Sequence, residues 1–318
     1  MTKFLLLPII AFLTVALEAT HEALLPPELY WKSMLPTTPM PKSITDLLHP
    51  TGGTTIVRGG INVTLESGRP LRNYVKKYGC TNYDTTHETI QHDIPNAIGN
   101  FFFLEKDLKP GHKMNMPFLF QTSNQNSSFL PREVVKSIPF SSSKIAVILN
   151  KFAVKAGSPY AEVLKNTIKE CERSEMKGEE KYCATSLESM VDFSTFKLGK
   201  SVNALSMEVM NAPTMEEEEY TITQGVKKVG EDKVVVCHKL DYVYAVFYCH
   251  KIENTDAYMV PLEGAYGSRM KAAGVCHRDT SQWSPKHVAF QVLKVKPGSV
   301  PVCHFLFPDA LVWVPRQN

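Results

Sequence analysis

Four times in this 318-residue chain a cysteine is followed directly by a histidine: Cys237-His238, Cys249-His250, Cys276-His277 and Cys303-His304. Ten, twenty-five and twenty-five residues separate successive pairs, which take four of the seven cysteines and four of the ten histidines. Chance does not produce that adjacency. Each pair sits in a run rich in β-branched and aromatic residues, "KVVVCHKL", "YAVFYCHKI", "MKAAGVCH" and "VPVCHFLF", and such runs read as strands. Successive side chains of a strand point to opposite faces, so the dipeptide sends thiols to one side and imidazoles to the other. Disulfides can form on the first face while His238, His250, His277 and His304 converge on the second. Imidazole suits zinc, copper, iron and nickel alike, so the donor type leaves the metal open. The two-to-four-residue thiolate spacing of zinc fingers does not occur. His287 in "SPKHVAFQ" is a fifth candidate ligand; His87, His92 and His112 have weaker claims, lying in loops or in the N-terminal arm. The plainer alternative is a set of disulfides and hydrogen-bonded histidines that only stabilise the domain.

The state of the thiols depends on the compartment. "MTKFLLLPIIAFLTVALEA" opens with Lys3 and an apolar run from Phe4 to Leu17, shorter than the roughly 20 residues a membrane span needs. It reads as a secretory signal peptide, residues 1–19, cleaved after Ala19. No later apolar run is long enough to span a bilayer. The sequons at Asn62 and Asn126 agree with secretion and mark candidate glycosylation sites. In an oxidising compartment the cysteines are disulfide candidates before they are metal thiolates. Cys171 and Cys183 flank the charged loop "ERSEMKGEEKY" and are expected to pair, a staple contributing about 2–4 kcal/mol. The formal charge is +3, from 35 basic and 32 acidic residues, a balance that gives no reason to invoke nucleic acid.

Residues 20–99 are dense in Pro, Thr and Gly without sustained periodicity and read as an extended arm or linker, with a short helix near Ile44–Leu48. From "NFFFLEKDLKPG" onward, residues 100–316 read as one domain, opening on a strand at Phe101–Leu104. Its first half is mainly helical. Pro131 starts a short helix that Pro139 ends, and "SSSKIAVILNKFAV" follows as another with Ser as cap. In "GSPYAEVLKNTIKECERS", Ser158 caps, Pro159 takes the first position, and Ala161, Leu164, Ile168 and Cys171 share a face. Thr185 and Glu188 offer a capping box for "TSLESMVDFSTF". "MEEEEY" at 215–220 reads as a solvated loop. "YTITQGVKKVG", the four Cys-His runs, "AYMVPL" and "KHVAFQVLKV" read as strands. The expected class is α+β: a helical first half packed on antiparallel sheet in the second, stapled by disulfides.

The pattern CH-X10-CH-X25-CH-X25-CH, with "FFFLEKDLKPG", "CATSLESMVDF", "VCHRDTSQWSPKHVAF" and "PVCHFLFPDALVWV", resembles the defining signature of the plant BURP-domain family. The resemblance runs from about Asn100 to Pro315, and "PPELYWKSMLPTTPMP" is similar to the segment behind the signal peptide of many members.

That resemblance implies a secreted or vacuolar plant protein of the apoplast, cell wall or vacuole. Some members are copper-dependent peptide cyclases that join a Trp or Tyr side chain to an unactivated carbon of a short peptide, often on the same chain. Others are described as seed, stress-response or cell-wall proteins with no known reaction. In the cyclases the Cys-His positions are linked to disulfides and copper. Carried over, this makes His238, His250, His277 and His304 copper-ligand candidates, with Cys237, Cys249, Cys276 and Cys303 as disulfide candidates. The chain departs from the cyclase pattern in having only Trp31, Trp283 and Trp313, none in an evident core peptide. Candidate crosslink targets in cis are Tyr74, Tyr78 and Tyr83, within 70–90 beside Cys80; the same stretch also reads as an ordinary variable linker. A peptide supplied in trans and cell-wall components are the other candidate partners.

Overall fold

The structure, a computed structural model, describes residues 26–49, 56–57, 60–61, 101–116, 127–212 and 219–317. The expected leader, Asn62, Asn126, Tyr74, Tyr78, Tyr83, His87 and His92 lie outside the described residues.

Helices are α1 (Pro26–Met34), α2 (Lys42–Leu48), α3 (Arg132–Val135), α4 (Ile145–Lys151), α5 (Pro159–Glu172), α6 (Leu187–Leu198) and α7 (Val288–Leu293). The long α5 forms as its sequence dictates: Ser158 Oγ accepts the Ala161 N–H at 3.2 Å, satisfying one of the amides that a helix start leaves without an intrahelical partner. Its apolar face buries Ala161, Leu164 and Ile168 against Tyr242, Tyr244 and Val246.

Five expectations need correction. Residues 26–49 are not an extended arm: α1 and α2 dock into the core. Trp31 lies 5.3 Å from Trp313 between ring centroids, its Nε1–H donates to the Thr38 carbonyl at 2.9 Å, and Leu35 and Ile44 are buried. A lone helix this short is unstable in water; packing supplies what periodicity could not show. The box of α6 uses Ser186 and Ser189, one residue after Thr185 and Glu188, and Glu188 instead accepts the Arg132 N–H. The helix in "SSSKIAVILNKFAV" has Lys144 at its start, with no side-chain cap. "KHVAFQVLKV" is α7, not a strand; its β-branched residues face a core, and the His287 ring caps it. The stretch 219–222, assigned in part to a solvated loop, is strand.

Strands are β1 (Phe102–Leu104), β2 (Lys113–Asn115), β3 (Glu179–Ala184), β4 (Val202–Leu205), β5 (Glu208–Asn211), β6 (Glu219–Ile222), β7 (Lys227–Glu231), β8 (Val235–Leu240), β9 (Val246–Ile252), β10 (Thr255–Gly264), β11 (Arg269–His277), β12 (Val302–Phe305) and β13 (Leu311–Pro315). They build a five-stranded sheet in the order β3-β9-β8-β13-β4 and an eight-stranded sheet in the order β1-β12-β11-β10-β6-β2, with β5 on β11 and β7 on β10. The pairings are antiparallel.

Alternation along these strands makes a layered molecule. Val235, Cys237, Phe247, Cys249, Leu311 and Trp313 face α1, α2 and α6. Cys276, Cys303 and Phe305 face α7 on the far side of the other sheet. Val236, Val312 and Val314 of the first sheet meet Ala257, Ala273 and Val275 of the second, so the two sheets stack face to face. This is the expected α+β architecture with antiparallel sheet and disulfide staples: Cys171–Cys183, Cys237–Cys249 and Cys276–Cys303.

Candidate functional site

In the β8–β9 hairpin, Cys237 stands directly opposite Cys249, and the bridged Cα atoms are 3.9 Å apart. One step along each strand the side chain changes face. His238 lies opposite Tyr248 and His250 opposite Val236, so the two imidazoles sit diagonally on the inner face, within reach of each other. Their Nε2 atoms are 3.2 Å apart. The β11–β12 pair repeats the arrangement: Cys276 opposes Cys303, His277 opposes Val302 and His304 opposes Val275. There the Nε2 atoms are 3.4 Å apart. Sheet stacking turns these pairs toward each other, with the His238 and His304 rings 6.4 Å apart. The four imidazoles therefore form one cluster between the sheets, with the disulfides on the outer faces.

In His250, His277 and His304 the Nε2 faces inward while Nδ1 has a partner elsewhere. His250 Nδ1 lies 3.2 Å from Glu179 Oε1, and His304 Nδ1–H donates to the Phe305 carbonyl at 3.0 Å. His277 Nδ1 is 3.0 Å from Thr255 Oγ1. A neutral ring that keeps its proton on Nδ1 presents a lone pair at Nε2. Burial, reinforced by His304, His250 and His287, pushes His277 well below its ordinary pKa. Burial and the neighbouring His250 bring His304 down to about 4. At neutral pH His277 and His304 are uncharged.

Glu179 is the residue that sequence reasoning missed. Burial alone would raise its pKa, but hydrogen bonds from His250, Tyr248 and the Met176 amide hold it well below the usual carboxylate range. Tyr248 OH donates to Oε1, and Arg173 Nη2 reaches Oε2 at 3.1 Å and Tyr248 Oη at 2.5 Å. Burial and this carboxylate push the Tyr248 phenol far up. Glu179 thus fixes the His250 ring much as outer partners fix metal-bound imidazoles. Glu179 falls inside the charged loop flanked by Cys171 and Cys183, where one more carboxylate carries no mark.

His287 plays a different part from the four. Its Nδ1 accepts the Ala289 N–H at 3.2 Å, so its neutral ring carries the proton on Nε2 and offers no lone pair there. Burial, with His304, lowers it to about 4. The ring lies tilted against Trp283, 4.7 Å between centroids, and Trp283 in turn lies 5.1 Å from His277. His287 is a helix cap behind the cluster rather than a fifth donor. His112 lies apart from it, in the turn ahead of β2, where its carbonyl accepts the Ile222 N–H.

The donor set can be tested against a metal. Ligands about 2.0–2.1 Å from a tetrahedral ion are about 3.3 Å from one another; the Nε2 separations of 3.2 Å and 3.4 Å match that edge. Each pair therefore fits one ion. Among the described residues no three His, Cys, Asp or Glu donors already surround a common point, so the cluster is two preformed pairs rather than a closed quartet.

The family model described as "BURP domain" matches residues 101–315. "BURP domain protein RD22" of Arabidopsis thaliana is 52% identical over 258 residues, 79% of this chain and 64% of the relative. "BURP domain-containing protein 3" of Oryza sativa subsp. japonica is 47% identical over 250 residues, 77% of this chain and 57% of the relative. "BURP domain-containing protein 5" of the same plant is 40% identical over 299 residues, 92% of this chain and 88% of the relative. The chain thus spans less than two thirds of the first two relatives' length.

Proposed function

The chain belongs to the BURP-domain family, and from that premise we propose that it binds copper through His238, His250, His277 and His304 and acts as an oxidative peptide cyclase. The observation that carries the reading is the pair of Nε2 separations, 3.2 Å and 3.4 Å, in a cluster where the Nδ1 atoms of His250, His277 and His304 are anchored. Copper would supply one-electron and oxygen chemistry, which zinc lacks. Joining a Tyr or Trp ring to a carbon removes a hydrogen from each partner, so an oxidant such as dioxygen must accept two electrons and two protons. The chain's own part is to keep His277 and His304 neutral by burial, aim the Nε2 atoms inward and exclude water. Glu179, Thr255 and the Phe305 carbonyl orient the rings. The substrate is a peptide, in cis within 70–90 with Tyr74, Tyr78 or Tyr83 as target, or in trans.

The three disulfides are consistent with passage through the secretory pathway; apoplast, cell wall or vacuole is the proposed destination, with glycosylation at Asn62 and Asn126. Among the described residues no helix is long and apolar enough to cross a membrane.

The test is copper titration of the purified protein, then exposure to oxygen and mass spectrometry of residues 70–90. Stoichiometric copper uptake and loss of two hydrogens, both abolished in His250→Ala, are expected. No uptake and no mass change would sink the reading. A second reading has its own support, because the donors stand as two hydrogen-bonded pairs, with no group of three among the described residues. A proton shared within each pair would serve a non-enzymatic seed, stress or cell-wall protein whose Cys-His motifs are structural. It predicts that His→Ala variants lose stability and that the wild type takes up no copper.

A further inference from the structure

A half-open pocket of about 140 Å³ lies beside the histidine cluster; Met176, Glu179, Ile252 and Trp283 line it together with the polar side chains of Lys177, Glu253, Asp279 and Gln282. Two of these residues are shared with the cluster. Glu179 holds His250, and the Trp283 ring lies 5.1 Å from His277. A group seated on Trp283 is therefore one side chain away from the imidazoles.

The size of the pocket and the apolar part of its lining suit a single ring. Ligand pockets for drug-sized molecules run to about 300–1,000 Å³, whereas a cavity of about 150 Å³ accepts a single benzene ring. Met176, Ile252 and Trp283 offer aliphatic and aromatic surface. The Glu179 carboxylate at the back is already committed: Oε1 to Tyr248 and His250, Oε2 to Arg173 and the Met176 amide. Glu253, Asp279 and Lys177 supply charge elsewhere in the lining, so the apolar contact is confined to Met176, Ile252 and Trp283. Gly178 keeps the wall thin, with φ at +79°, where a Cβ would stand 3.6 Å from Glu253 Oε2.

We propose that this pocket is the substrate subsite for one six-membered aromatic side chain, with Trp283 as its platform, and that it selects tyrosine over tryptophan. The inference rests on the peptide-cyclase reading for its meaning, and it narrows that reading's Tyr-or-Trp substrate to Tyr. The chain's own tryptophans agree: Trp31 and Trp313 are buried in the core and Trp283 lines the pocket, which leaves tyrosines as targets in cis.

The experiment uses metal-free, full-length protein and follows the Trp283 indole N–H by NMR. N-acetyl-L-tyrosinamide, N-acetyl-L-tryptophanamide and N-acetyl-L-leucinamide are titrated separately. The tyrosine amide is expected to bind at least about 10-fold more tightly than either other probe, the scale on which a shaped apolar pocket discriminates. Met176→Trp, which fills the pocket, should abolish binding with an otherwise native spectrum. Ile252→Ala, which widens it, should raise the affinity for the tryptophan amide. Equal or tighter binding of the tryptophan amide by the wild type, or tyrosine-amide binding that survives Met176→Trp, overturns the proposal. A separate copper titration keeps the readings apart. Tyrosine selectivity without copper uptake would sink the redox reading and leave the subsite standing; copper uptake without selectivity would do the reverse.

Discussion

At the scale of single residues, the location of one proton governs each histidine. His250 and His304 keep it on Nδ1, where Glu179 and the Phe305 carbonyl receive it; His287 keeps it on Nε2, because its Nδ1 caps α7. Glu179→Gln retains the shape but removes the charged acceptor. On the copper reading, affinity measured by chelator competition should fall about 10–100-fold, the usual cost of losing such a partner. An unchanged affinity would mean that Glu179 serves only Arg173 and Tyr248. Acid should also weaken the metal-free protein. His287 and His304 are held at about 4 in the fold, against about 6.5 in an unfolded chain. The unfolded state then binds more protons below about pH 6.5, so stability is intact above that pH and drains away as pH falls toward 4. Each residue contributes on the order of 3 kcal/mol across the window. Urea midpoints at a series of pH values would show it; a flat profile between 6.5 and 4 would refute it. The four ligand candidates were legible because strand alternation alone separates Cys from His. Glu179 was not, since its partner His250 is 71 residues away and only β3–β9 pairing joins them.

At the scale of elements, the two Cys-His strand pairs are copies of one device that close loops of different length. The separations are 12 residues for Cys237–Cys249 and 27 for Cys276–Cys303. Chain entropy alone makes loss of the second staple costlier by about 0.7 kcal/mol. Paired Cys→Ala variants compared by chemical denaturation would test this; the reverse order would show that native-state packing, not loop closure, sets the difference. The docked α1 makes a sharper claim. Trp31 is buried against Trp313, so Trp31→Ala should cost about 3–5 kcal/mol, the range for a large aromatic removed from a core. A linker residue would cost almost nothing. Helix α5 was legible because its cap, its leading proline and its buried stripe are all local. Helices α1 and α7 were not, because the first is held by a tryptophan from the last strand and the second carries strand-like residues against a core. Local pattern reports what an element prefers, and these two are decided by what they touch.

At the scale of the whole molecule, the stacking of the two sheets decides whether two histidine pairs work as one site. Register within each sheet places His238 beside His250 and His277 beside His304, but nothing in either strand pair places one couple near the other. That depends on how closely the sheets approach, which no local sequence pattern encodes. Gly230 in β7 marks a place where the approach is tight. A Cβ there would stand 2.5 Å from Val314 Cγ1 and 3.0 Å from Val234 Cγ2, both in the layer between the sheets. The first distance is closer than non-bonded carbons tolerate, so Gly230→Ala forces a shift, either of the Val314 side chain or of β7 against β13. Overpacking of this kind costs about 1–3 kcal/mol, read as a lower melting temperature. The informative measurement is copper affinity of the folded variant well below that temperature. Where β7 yields and one ion draws on both pairs, a change that touches no histidine should weaken binding, because the cross-sheet spacing has grown. If each pair binds by itself, or if the histidines are purely structural, Gly230→Ala lowers the melting temperature and leaves copper behaviour as it was. The variant therefore separates a site assembled between sheets from a site carried within each one.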